Sequence, residues 1–309
     1  MDSLKIQFLN FLVSNCVRYN FKPEPCCLYF LSLCLCLFFS GGCAFKFINR
    51  TKGIEFFKAD ESVGVVAQRL NVFAPSRSGE KKDVLIFIHG GNWNSGNRTL
   101  YSFFGSRMAR KGIVTVVIDY PLSPAATYKE MALVAASAVK WVKENISSYG
   151  GNPDKIFVSG HSAGGHLAAL VALDSSYFDG LRVANPVKGI ILIDAAGLDM
   201  FTYLKQQNFS KDHTYLKTFT ANPAEWKKAS PVFYLHPGMA PFLVFEGGKT
   251  YPSIKMTHKI FMGKLLPMAP LTKYEVIKGK HHIPMITQFL NPWNPRYDAI
   301  IEFMNSNFN

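Results

Sequence analysis

Two kinds of apolar pattern alternate along this chain. Segments 83–91 (DVLIFIHGG), 112–120 (GIVTVVIDY), 155–160 (KIFVSG), 188–197 (KGIILIDAAG) and 241–247 (PFLVFEG) are short, nearly continuous apolar runs. Such runs predict strands buried on both faces. Between and after them, residues 99–110, 128–146, 162–173, 253–266 and 296–306 read as helices, most clearly 128–146, whose apolar positions recur at helical spacing. Residues 65–75 (VVAQRLNVFAP) alternate as an edge strand does, and 273–279 (KYEVIKG) add a further strand. The basic stretch Lys46–Lys58 reads as a linker, and the aromatic-rich stretch 201–240 as an insertion after the sixth core strand. Buried strands alternating with helices predict an α/β fold: a mostly parallel central sheet with helices on both faces. Sites in such sheets lie at the carboxyl ends of the strands.

The amino-terminal segment breaks this pattern. Residues 26–45 (CCLYFLSLCLCLFFSGGCAF) are uncharged and follow Lys5, Arg18 and Lys22, the layout of an export signal. All six cysteines (Cys16, Cys26, Cys27, Cys34, Cys36 and Cys43) fall in this region and none in the rest of the chain. A disulfide-stapled domain spreads its cysteines through the fold, so that class is excluded. SGGC at 40–43 resembles the bacterial lipobox, with Ser40 where Leu is preferred, which implies lipid attachment at Cys43. The other reading is an uncleaved apolar anchor. Either way the expected organisation is a leader at 1–43, a linker at 44–60 and a catalytic domain at 61–309, exported and held at a membrane.

Hydrophobic residues make up 48% of the 309 positions and charged ones 18%, enough for a large core and too apolar for disorder. Net charge is +13, and the leader contributes little of it, with three cations against two carboxylates. The domain itself is therefore basic, which favours anionic surfaces such as lipid headgroups or acidic polysaccharide. Lys and Arg are scattered and no nucleic-acid module is visible, so no nucleic-acid partner is expected.

Chemistry enters at Gly160-His161-Ser162-Ala163-Gly164, a G-x-S-x-G between a predicted strand and a predicted helix. That context turns a weak motif into a strong one: a serine on a sharp strand-to-helix turn is lifted above the sheet, with glycines to relieve crowding. With HGGNW (89–93), DYPLSP (119–124), WVKENISSYGGNPDKIFVSGHSAGGHLAAL (141–170), ASP (229–231) and HH (281–282), the chain resembles the α/β-hydrolases of the esterase/lipase group, near hormone-sensitive-lipase-like carboxylesterases and arylformamidases, over residues 60–305.

The resemblance implies an acyl-enzyme on Ser162 and an oxyanion hole from the N–H groups of Gly90, Gly91, Asn92 and Ala163, with His89 shaping the loop. It implies His282 as base, with His281 the alternative. Asn92 stands where many lipases of the group have a third glycine, which moves the comparison toward formamidases and small deacylating esterases. The triad acid is open. The family places an aspartate in a G-x-x-D loop after the seventh strand, and with Gly247 as that glycine the position is Thr250. Asp194, at the end of the preceding strand, and Glu246, at the end of the seventh, are the alternatives, with Asp199 read as a loop cap. No histidine pair has the spacing of a zinc site, so neither metal nor cofactor is expected. The expected function is hydrolysis of a small-molecule or glycan ester. Amidase or formamidase action at the same site, and a non-catalytic ligand-binding protein, are the alternatives.

Overall fold

The structure, a computed structural model, describes residues 47–60, 64–76 and 79–306. The leader and Cys43 lie outside the described residues. Strands β1 (Ile48–Phe57), β2 (Gln68–Pro75), β3 (Lys82–Ile88), β4 (Val114–Ile118), β5 (Gly151–His161), β6 (Val187–Ile193), β7 (Phe242–Gly247) and β8 (Lys273–Ile277) form one sheet in the order β1-β2-β4-β3-β5-β6-β7-β8. The pairs β1–β2 and β2–β4 are antiparallel, and every later pair is parallel.

The apolar runs are continuous because each central strand feeds two cores. In β3, Val84, Ile86 and Ile88 belong to one cluster and Leu85 and Phe87 to the other, as the two-residue period of a strand requires. Helices α1 (Ser102–Arg110), α2 (Tyr128–Asn145) and α3 (Ala163–Leu173) follow β3, β4 and β5, with a short α4 (Ser176–Gly180) after α3. A capping box starts α2: Thr127 accepts from the Lys129 N–H while the Glu130 carboxylate accepts from the Thr127 N–H. Helices α8 (Pro252–Met268), α9 (His282–Thr287) and α10 (Arg296–Asn305) complete the layers. The expected insertion after β6 folds into α5 (Met200–Lys205), α6 (Thr214–Phe219) and α7 (Pro223–Lys228).

Two expectations are corrected. The stretch Lys46–Lys58 is not a linker, since β1 occupies most of it, paired from Ile48↔Pro75 to Phe57↔Gln68. Its residues are largely exposed, and a bulge at Gly53, whose N–H donates to Asn71 Oδ1 at 2.9 Å, interrupts the alternation. An edge strand with both faces near water carries no burial pattern to read. For the same reason β2 is internal, covered by β1 on one side and β4 on the other.

Candidate active site

Five loops converge at the carboxyl end of the parallel strands. After β5 the chain turns sharply: Ser162 adopts φ 55° and ψ −121°, a left-handed conformation that a side chain avoids unless packing imposes it. Its N–H donates to Ile193 O at 3.2 Å, and its carbonyl accepts from the N–H groups of Ala196 and His166 at 3.0 and 3.1 Å, which ties the turn to the end of β6. A Cβ on Gly164 would run into the backbone carbonyls of Ile88 and His89, so the elbow packs directly on the end of β3.

His282, the first residue of α9, places Nε2 2.8 Å from Ser162 Oγ and Nδ1 2.6 Å from Asp194 Oδ2. Asp194 is fully buried just past β6, with φ 48°. Its carboxylate also accepts from the Gly247 N–H at 2.8 Å and from Thr250 Oγ1 at 2.5 Å. Burial pushes this carboxyl up, but hydrogen bonds from His282, Thr250 and Gly247 outweigh it and hold Asp194 below its ordinary value. The threonine that occupies the family's aspartate position thus grips the carboxylate from the neighbouring strand.

Glu246 goes elsewhere. Its Oε2 accepts from Tyr274 Oη at 2.6 Å and lies 3.2 Å from His258 Nδ1. Asp199 caps α5, accepting the Thr202 N–H at 2.9 Å. His281 is exposed at the cap position of α9, next to His282 in sequence.

Of the backbone donors expected around the oxyanion, Gly91 and Asn92 line a cavity of about 440 Å³ together with Ser162 and His282. The Ala163 N–H opens α3 and has no intrahelical partner. Gly90 does not belong with them: its N–H donates to Tyr101 Oη at 3.2 Å, because the Tyr101 ring stands on that side of the loop. Gly91 (φ 135°), Asn92 (φ 51°) and Trp93 (φ 60°) lie in succession at positive φ, a strained run that something must hold.

The residues that hold it carry no obvious signal in the sequence. Buried Trp93 donates its indole N–H to His166 Nδ1 at 3.2 Å, and His166 donates from Nε2 to Ala229 O at 2.7 Å. The chain crosses from the loop through α3 to the ASP motif. Burial pushes the His166 imidazole down to about 4, consistent with a neutral ring. On the other side, the DY of DYPLSP braces the same loop. Tyr120 stacks on His89 at 4.3 Å and donates to His89 O at 3.1 Å, while Asp119 accepts from the Arg98 N–H at 2.7 Å. Repeated histidines and aromatics inside the quoted motifs were the available clue.

His161 has a different place. It is buried, its ring stacks on His282 with centroids 4.7 Å apart, and its Nε2 faces His282 O at 3.3 Å. Burial first, and then the neighbouring His282, push it down to about 3.

The insertion's aromatics divide. Phe219 is fully buried against Trp93, His166 and Tyr128, whereas Tyr215 reaches the cavity wall. A hollow of about 560 Å³ near Tyr128, Tyr177 and Tyr234 has no histidine among its lining residues. Among the described residues no cluster of metal-ligating side chains occurs, and no helix is long and apolar enough to cross a membrane.

Comparison with known proteins agrees with this architecture. Esterase B of Lactobacillus rhamnosis superposes with a TM-score of 0.66 at 14% identity, covering 99% of this chain and 93% of its own. Apo esterase 2 of Thermogutta terrifontis gives 0.67 at 20% identity, covering 82% and 92%. At these identities the likeness concerns the fold. In sequence, Esterase LipQ of Mycobacterium tuberculosis is 32% identical over 66% of this chain and 51% of its own length. Isoprenylcysteine alpha-carbonyl methylesterase ICME of Arabidopsis thaliana is 34% identical over 71% and 55%. The chain spans about half the length of these curated relatives. The BD-FAE family profile matches residues 70–260, from β2 through the elbow and the insertion into α8. With more than half of its length matched and the sheet order just described, the chain belongs to the BD-FAE family of α/β-hydrolases.

Proposed function

We propose that this chain is a serine hydrolase that cleaves carboxylic esters through an acyl-enzyme on Ser162. The observation that carries the reading is the continuous relay from Ser162 Oγ through His282 to Asp194, opening onto a cavity walled by Gly91 and Asn92. Relatives named as esterases support the reaction class.

In this reading Ser162 Oγ attacks the ester carbonyl as its proton passes to His282 Nε2. Asp194 keeps the Nδ1–H pointed inward, so Nε2 is the free base, and then stabilises the imidazolium. The carbonyl oxygen becomes an anion facing the N–H groups of Gly91, Asn92 and Ala163, held ready by the strained loop. His282 returns the proton to the departing alcohol, and water releases the acid by the same route in reverse. The cavity volume lies toward the lower end of the range for small-ligand sites, which fits a short acyl group better than a large one. Residues 1–43 serve in this reading as export signal and tether, with Cys43 the lipidated residue.

The test is hydrolysis of chromogenic esters from acetyl to octanoyl by the full chain beside Ser162→Ala. Turnover that disappears in the alanine variant supports the reading, and its chain-length profile measures the acyl pocket. Equal background rates across the whole panel would sink it.

A further inference from the structure

The rim of the cavity brings together two features, exposed apolar side chains and lysines without an ion-pair partner. Tyr251 and Ile283 line the cavity yet are largely open to solvent, Ile283 at 56%. From Ile283 the exposed face continues along α9 and the turn after it. Ile283, Thr287 and Leu290 point outward at helical spacing, while Met285, Ile286 and Phe289 point into the core. Trp293 follows at 84% exposure, an unusual position for an indole without a partner to cover it. The adjoining α1 presents Leu100 just before it, and its Phe104 packs on Phe289 at 5.2 Å.

Lysines flank this apolar strip. The β7–α8 and β8–α9 loops lie side by side, joined by the Lys249 N–H to Lys280 O at 2.8 Å. They carry Lys249, Lys278 and Lys280, none of which has an ion-pair partner among the described residues. Some lysines elsewhere are matched, as Lys111 is with Asp298, Lys143 with Asp154 and Lys273 with Glu302, so it is the closeness of these three to the apolar strip that marks the rim. The carboxylates nearest these loops face inward or are taken: Asp194 by His282, Glu246 by Tyr274, Glu275 by Arg296.

We propose that this rim is a docking face for anionic lipid surfaces, so that the site acts on esters presented in or at such a surface. The inference rests on the ester-hydrolase reading and extends it to the setting of the substrate. Apolar side chains that enter the acyl boundary, flanked by cations that meet the headgroups, are the two components of interfacial binding. A soluble acidic polymer would use the lysines but not Ile283, Leu290 and Trp293, which is why lipid is the occupant.

The test uses the full chain with phosphatidylcholine vesicles, alone or mixed with phosphatidylglycerol. Two readouts are taken: Trp293 emission, isolated by subtracting Trp293→Phe, and turnover of a long-chain fluorogenic ester dissolved in the vesicles. A soluble acetyl ester is run alongside. The expected result is a blue shift of Trp293 and turnover at least about tenfold faster on anionic than on neutral vesicles, both falling at high salt because exposed charges are screened. Lys249→Glu/Lys278→Glu/Lys280→Glu and Leu290→Ser/Trp293→Ser should each remove the preference while soluble-ester turnover stays unchanged. Equal behaviour on both vesicles overturns the proposal. So does a preference that survives both variants, since the leader would then be responsible. A preference lost in the lysine variant but kept in Leu290→Ser/Trp293→Ser would identify an acidic polymer site instead and also overturn it. Failure of the soluble ester alone, with the Trp293 shift intact, would count against the ester-hydrolase reading and not against the docking face.

Discussion

Two neighbouring strands of this sheet end in a buried carboxylate, and each carboxylate accepts from a hydroxyl and faces a histidine. At the end of β6, Asp194 has His282 at 2.6 Å and Thr250 at 2.5 Å. At the end of β7, Glu246 has His258 at 3.2 Å and Tyr274 at 2.6 Å. The groups are alike, and in both pairs hydrogen bonding overcomes burial to keep the carboxyl below its ordinary value. What differs is the far nitrogen of each ring. That of His282 meets a serine hydroxyl at the cavity wall, whereas that of His258 donates to the Ala195 carbonyl at 2.8 Å inside the protein. In the proposed reading one carboxylate–imidazole pair serves a nucleophile and the other anchors a loop, and the third partner separates the two. The second histidine supports the first pair: Ala195 follows Asp194 directly, so the His258 bond fixes the segment that carries the acid.

The comparison breaks most readily at Asp194. Asp194→Asn keeps the shape but lets His282 adopt the wrong tautomer, and kcat should fall on the order of 10³–10⁴-fold with the protein still folded. A loss no larger than that of Glu246→Gln would mean the two pairs had been assigned the wrong way round.

A second test uses the ring that only the first pair possesses. His161 lies against His282 and is held near 3, against 6.5 for a free imidazole, so it is neutral when folded and gains a proton on unfolding in acid. Stability from this group is fully present above pH 6.5 and drains as pH falls toward 3. At about 1.4 kcal/mol per unit, complete loss is on the order of 3–5 kcal/mol. Denaturant melts between pH 7 and pH 4.5 should show His161→Asn losing about one proton of unfolding-linked uptake, and an unchanged slope would refute the burial argument.

Thr250→Val sharpens the comparison within the first pair. It removes one hydrogen bond to a charged acceptor, and kcat should drop by about ten- to a hundredfold, in line with the roughly 1.5–3 kcal/mol such bonds contribute. The smallest effect on rate belongs to Glu246→Gln, where kcat should change less than about threefold while stability falls by on the order of 1–2 kcal/mol. A large rate loss there, with Asp194→Asn mild, would invert the assignment of anchor and activator.

These pairs also mark where the sequence stops being informative. The parallel core, the elbow and the HGG loop were legible because each couples a long apolar run to a local motif. The acid was not, since Asp194 and Glu246 both end buried strands in similar surroundings and only the third dimension separates them. Thr250 read as a missing charge, yet it holds the carboxylate that another strand supplies. Trp93 and His166 stood inside recognised motifs without a role, because their contact spans most of the catalytic domain's front half. Strand β1 was invisible for the opposite reason: an exposed, polar edge has no burial pattern to detect.

The location of the acid upstream of the insertion has an evolutionary consequence. Every member of the relay sits either before Asp199 or after Pro241, and the segment between them touches the cavity chiefly through Tyr215. The segment is split in its duties: Ala229 O and Phe219 hold His166 and Trp93 behind the loop, while Tyr215 faces the cavity, so a change around Tyr215 alters what enters without touching the proton path. Substrate choice in such an architecture is open to change at one wall of the cavity, provided the contacts of Phe219 and Ala229 behind the loop are kept.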